Sequence, residues 1–159
     1  MALDAAPRAE VFSLDAAPKA QVFSLKTPLL SSGRTTLSIA GTDLLKLAVK
    51  VHAQGGENGL HTHQKEDHAF VVMQGQATFH DGKGTETVVN KYEGILLPRG
   101  AFYNFQATGD ENLVLLRVSS SLEGGIGDFR VGPNGRPLTL EENKKPPNTT
   151  VIPGQFFGA

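Results

Sequence analysis

The sequence has no cysteine and no tryptophan. Without cysteine there are no disulfides, no thiolate metal sites and no cysteine nucleophile, a composition compatible with a reducing compartment. Long apolar runs are missing too. No segment approaches the ~18 residues that a membrane-spanning helix needs. The first residues, Met1 to Glu10, lack a basic start followed by an apolar stretch. An excess of charge of either sign is lacking: the formal net charge is −1 and like charges form no run. Nucleic acid selects for a basic patch, so it is not an expected partner. A helical apolar period of useful length is also lacking. The expectation is a soluble, cytoplasmic protein with neither nucleic acid nor membrane as partner. With 159 residues, 39% of them hydrophobic, the chain has enough for one core.

What is present is a series of short extended segments between turns. Thr35 to Ala40 alternates as a strand does, and so does Leu44 to His52. In the second, Leu45, Leu47, Val49 and Val51 share one face, while Lys46, Lys50 and His52 share the other, which reads as the solvent side. Asp81-Gly-Lys-Gly84 is a strong turn signal between two further strands, with His80 a surface residue beside it. Leu113 to Val118 is a near-continuous apolar run, as in a strand covered on both faces. Arg117 interrupts that run. Its planar fork could bind a substrate carboxylate, or it could sit at a rim in an ion pair.

The ends differ from the middle. Leu3 to Ser13 is nearly repeated by Leu14 to Ser24, and Pro7 and Pro18 at the same phase forbid a continuous helix. Each Val-Phe-Ser-Leu end reads as a short strand lying on the body of the domain or on a partner subunit. The other reading makes the first copy a disordered tail. After Ser119, Gly124-Gly-Ile-Gly127, Gly132 to Pro137 and Lys144-Lys-Pro-Pro147 leave no room for long elements. The expected division is an extension over 1–26, a barrel over 27–119 and an arm over 120–159. That arm carries a short Leu138–Glu142 piece and an apolar Val151 to Phe157 that needs burial.

Three of the five histidines lie within one stretch, Gly55-Gly-Glu-Asn-Gly-Leu-His61-Thr-His63-Gln-Lys-Glu66-Asp67-His68. On extended chain His61 and His63 point to one face, and His68 opens the apolar run Ala69 to Met73, which doubles back beside them. Three converging imidazoles outline a metal site. The plainer reading is a solvated polar turn with incidental histidines.

Gly55, His61, His63 and Gly75 resemble the first motif of the cupin superfamily, in which a glycine precedes His-x-His and a fourth ligand precedes a strand ending in glycine. Where the family usually has glutamate this chain has His68; Glu66 and Asp67, just before it, are the alternatives should the strand register shift. Gly94, Pro98 and Gly100 resemble the second motif, with Tyr103 in the place of the family's histidine. Tyr103 could ligate as phenolate, act as proton donor or acceptor beside the metal, or be a buried tyrosine with a satisfied hydroxyl. The resemblance covers roughly residues 35–119.

Turn spacing and resemblance together imply an all-β fold: a single antiparallel β-barrel (jelly roll) with an amino-terminal strand extension and a carboxy-terminal arm. His61, His63 and His68 are then the expected metal ligands, Tyr103 the expected catalytic group, and Arg117, Phe70 and Phe105 the expected substrate-binding residues. The metal expected first is Fe2+, with Zn2+, Mn2+ or Ni2+ as the other choices, because imidazole serves them all. Three neutral ligands would leave a dipositive ion its full charge and favour an anionic substrate. Oxygen-dependent chemistry of the dioxygenase type leads. A redox-neutral lyase or isomerase using Tyr103, and a binding module without turnover, are the other readings. Cupins commonly pair, so the expected assembly is a homodimer.

Overall fold

Glycine and aspartate turns cut the chain into short extended pieces, and in the computed structural model most of those pieces are strands. The structure describes residues 17–54, 59–121, 130–139, 141–142 and 148–159. The first copy of the repeat, Gly55 and the stretches 124–127 and 144–147 lie outside them. Among the described residues there is no helix, hence none long and apolar enough to cross a membrane. The strands are β1 (Thr27–Ser32), β2 (Arg34–Gly41), β3 (Leu45–His52), β4 (Thr62–His63), β5 (Glu66–Gln74), β6 (Gln76–Asp81), β7 (Glu86–Asn90), β8 (Gly94–Leu97), β9 (Tyr103–Ala107), β10 (Leu113–Ser121), β11 (Arg130–Val131) and β12 (Thr150–Phe157).

A five-stranded antiparallel sheet in the order β2-β3-β10-β5-β8 faces a three-stranded one, β7-β6-β9. Two pairs, β1 with β12 and β11 with β4, complete the described sheets. The predicted all-β jelly roll is present, with its strands in separate sheets rather than one closed hydrogen-bonded ring. The two large sheets enclose Phe70, Val72, Ala77, Phe79, Val89, Tyr103, Phe105, Ala107, Leu113 and Leu115. A second core lies on the far face of the five-stranded sheet, where Leu30, Val49, Val51, Ala53 and Val114 pack with Leu25 and Phe157.

That second core corrects one expectation. The apolar face of β3 points away from the jelly-roll interior, into the layer formed with β1 and β12, so Lys50 and His52 point inward. His52 is only 1% exposed and packs 4.9 Å from the ring of Phe105. Lys50 is buried and donates to Thr36 Oγ1 at 2.8 Å. Alternation divided the strand correctly, but a sheet covered on both faces has no solvent side.

A second correction concerns the repeat. Val22 to Leu25 forms no strand, and Val22 is 100% exposed. Leu25 packs in the second core, and the Gln21 side chain fastens the segment to the sheet edge. The Gln21 amide donates to the Gly41 carbonyl at 2.8 Å and accepts from the Gly41 amide at 3.1 Å, serving the edge of β2 much as a neighbouring backbone would.

Two turns fix the register around the site. Gly75, between β5 and β6, has φ of 76°, and a Cβ there would lie 2.7 Å from the Asn112 carbonyl oxygen, so only glycine fits. Asp81 closes the β6–β7 hairpin by accepting the backbone amides of Lys83 and Thr85, each at 2.8 Å. Those amides, Thr85 first, hold its carboxyl below the usual carboxylate range. A depressed carboxyl stabilises the fold above its unfolded value, 3.8, and the contribution is lost as pH falls through the lower folded value. Asp81→Ala is expected to speed hydrogen exchange at Lys83 and Thr85 at neutral pH, an effect that should shrink as pH falls below 3.8 and the wild-type carboxylate protonates.

Candidate metal centre

β4 and β5 bring the histidines to one point. His61 forms a mutual backbone bridge with Tyr103, N to O at 3.1 and 2.9 Å, and Gly100 N donates to the His63 carbonyl at 2.8 Å. The two sequence motifs are therefore bound to each other through their backbones. His61 and His63, one residue apart from a shared neighbour, bring their Nε2 atoms to 3.1 Å. A carbonyl only accepts, so His61 Nδ1–H donates to Gly59 O at 2.7 Å, and in the neutral imidazole Nε2 then carries the lone pair. That is the arrangement of a histidine prepared to ligate.

Along β5, residues 66, 68, 70 and 72 share the inward face. Glu66 Oε2 lies 3.0 Å from His68 Nε2, and Lys46 Nζ lies 3.6 Å from Glu66 Oε1. His68 Nδ1 is 3.0 Å from the Tyr103 hydroxyl. The ring of His63 stands 4.1 Å from that of His68. His63, Glu66 and His68, all buried, offer one donor atom each within 4.8 Å of one another.

The donor set suits a metal. Ligand bonds of about 2.0–2.2 Å place neighbouring donors roughly 3.0–3.5 Å apart, and the Glu66–His68 pair at 3.0 Å has that spacing. The compact group is two histidines and a carboxylate, however, and not the three histidines expected. His61 stands just outside it, in contact with His63. Glu66 needs no register shift to reach the group, since two residues along a strand return to the same face; that was the signal to read. Asp67 points outward and is clasped by Arg99, with Nη2 at 3.0 Å and the backbone amide at 2.8 Å. Led by that amide, these contacts hold the Asp67 carboxyl below its usual range.

The other expected residues fall into two groups. Phe70 and Phe105 are buried with Phe79 in an aromatic cluster, ring centroids 4.9–5.7 Å apart. Arg117 lies on the inward face of β10, opposite Phe70 on one side and Ala48 on the other. Lys46, Ser119, Lys50 and His52 also reach the interior, and the reading of the sequence assigned none of them a role there. Burial, and secondly the nearby charge of Arg130, lower the pKa of Arg34, whose strand position matches His52. His80 is turned outward and meets Glu86 at 3.1 Å.

Comparison with known proteins bears on the fold. The family model described as "Cupin domain" matches residues 48–119. No curated protein matches the sequence. Among solved structures, a conserved protein of unknown function from Streptococcus pyogenes is 20% identical with a TM-score of 0.55, over 67% of this chain and 92% of its own. A Klebsiella pneumoniae protein with a double-stranded β-helix domain is 18% identical with a TM-score of 0.54, over 74% and 95%. KdgF from a Halomonas species is 19% identical with a TM-score of 0.51, over 55% and 79%. At such identities the likeness is one of fold. With the matched segment running from Ala48 on β3 to Ser119 on β10 and enclosing both motifs, residues 48–119 are a cupin domain, and through it the chain belongs to the cupin superfamily.

Proposed function

We propose that the protein is a mononuclear metalloenzyme acting on a small organic anion, with His63, Glu66 and His68 holding the metal and His61 beside them, and that its reaction is oxygen-dependent. The observation that carries the reading is the buried group of two histidines and one carboxylate. Such a set with open positions is characteristic of non-haem Fe(II) oxygenases. Iron in this place would supply adjacent sites for substrate and dioxygen. Glu66 offsets one unit of the ion's charge, so the preference for an anion rests more on the interior cations than on the metal alone. The test is oxygen consumption by Fe(II)-loaded protein across a set of small carboxylates. Uptake that depends on substrate and is lost in His63→Ala supports the reading. Uptake that is the same in the variant, or turnover with Zn2+ in the absence of oxygen, contradicts it.

The hydrogen bond between Tyr103 and His68 Nδ1 favours a second reading, a lyase or isomerase in which the phenol moves a proton. Tyr103→Phe separates the roles. If Tyr103 only orients His68, metal affinity falls about 10–100-fold and turnover recovers at saturating metal. If it acts as acid or base, turnover is lost while metal is retained. Unchanged affinity together with unchanged turnover would contradict both roles.

A further inference from the structure

Strand register lays out the inward face of the large sheet as a grid. Lys46, Ser119, His68 and Leu97 form one row across β3, β10, β5 and β8. Ala48, Arg117, Phe70 and Ile95 form the next, and Lys50, Leu115 and Val72 the third. In a chain of net charge −1, this part of the face carries Lys46, Lys50 and Arg117 against the single carboxylate Glu66. Among the described residues, two buried polar atoms of the grid have no hydrogen-bond partner: Arg117 Nε and Ser119 Oγ. Ser119 is 2% exposed. Leaving a buried donor unsatisfied is costly, and more so when it is charged. Folded proteins seldom keep two such donors two residues apart without a use for them.

The geometry points to a carboxylate subsite on β10, in which Arg117 and Ser119 receive the carboxylate of the substrate next to His68 and Phe70. A guanidinium presents a planar fork that matches a carboxylate, and a serine hydroxyl adds a third donor. Ala48, the small neighbour of Arg117 in its row, leaves the long side chain space. Across the interior, Phe79, Phe105 and Ala107 from the smaller sheet provide an apolar wall. The substrate class is therefore a carboxylate with a short apolar body, oriented with its charged end on β10 and its reacting carbon toward the histidines. This subsite rests on the proposed reading of the site as a substrate pocket, but it does not need metal in order to bind.

The experiment measures binding of butyrate and of its neutral counterpart butyramide by titration NMR. It compares the wild type, Arg117→Met, Ser119→Ala and the His63→Ala/His68→Ala variant. Arg117→Met keeps an unbranched apolar stem in place of the aliphatic part of the side chain and removes the fork, and circular dichroism with melting checks that each variant folds. Saturable butyrate binding is expected, at least 10-fold tighter than butyramide, weakened 10-fold or more in Arg117→Met and several-fold in Ser119→Ala. Metal content should be unchanged in both. Butyrate binding that survives in the double histidine variant while oxygen-dependent turnover is absent from the wild type would uphold the subsite and overturn only the enzymatic reading. Absence of saturable butyrate binding, equal affinity for the amide, or equal affinity in a folded Arg117→Met overturns the subsite.

Discussion

Phe70→Ala is expected to destabilise the fold by roughly 3–5 kcal/mol, the range for truncating a buried phenylalanine. Phe70 is 2% exposed and lies among Phe79, Phe105, Tyr103 and His68. The grid around it is built of β-sheet backbone, which cannot collapse into the hole without breaking register with β8 and β10. Total stabilities of about 5–15 kcal/mol make that loss a large fraction of what holds the domain together. Because the ring supports His68 on the same strand, metal affinity should fall as well. Denaturant unfolding checks the prediction. A loss below about 1 kcal/mol would mean that the two sheets repack around the vacancy, and that the aromatic cluster does not position the site.

The second large effect concerns the ligands. Glu66→Ala and His68→Ala are each expected to weaken metal binding by more than about 100-fold, since loss of even an outer-shell partner costs 10–100-fold. Asp67→Ala, which removes only the outward clasp on Arg99, should leave affinity within a few-fold of wild type. A ligand at 100 times its Kd stabilises the folded state by about 2.7 kcal/mol. The wild type should therefore melt at a higher temperature with metal than with chelator, and the Glu66 and His68 variants should lose that difference. Equal losses in Asp67→Ala and Glu66→Ala would place the carboxylate ligand wrongly. Full retention in His68→Ala would remove His68 from the set.

Much of this was legible in the residues. Alternation and turn chemistry set out the strands, and the spacing of Gly55, His61, His63 and Gly75 pointed to the site. The reason for Gly75 itself, a positive φ against the backbone of Asn112, is of the kind a sequence reading can name. Other features depended on which layer covers which face. His52 and Lys50 were read as outward because the face carrying Val49 and Val51 looked like the only core, whereas the sheet lies between two cores. Ser119 gave no local signal, and its place beside His68 comes from a pairing between strands fifty residues apart in the chain. Glu66 was legible from alternation alone, but the distance to Gly75 drew the ligand assignment to His68. Both residues belong to the compact group. The fastening of the amino-terminal segment by the Gln21 amide could not be foreseen, because one side chain there replaces the backbone ladder a strand would have made.

The most direct test of the metal centre is elemental analysis of the purified protein, before and after reconstitution with Fe2+, Zn2+, Mn2+ and Ni2+, followed by exhaustive dialysis. The arrangement of His63, Glu66 and His68, with His61 beside them, predicts close to one tightly held metal ion per chain, retained through dialysis and released by chelator. Protein that keeps none of the four after reconstitution would contradict the account, and would leave the buried histidines and Glu66 as a hydrogen-bonded polar cluster inside a cupin fold.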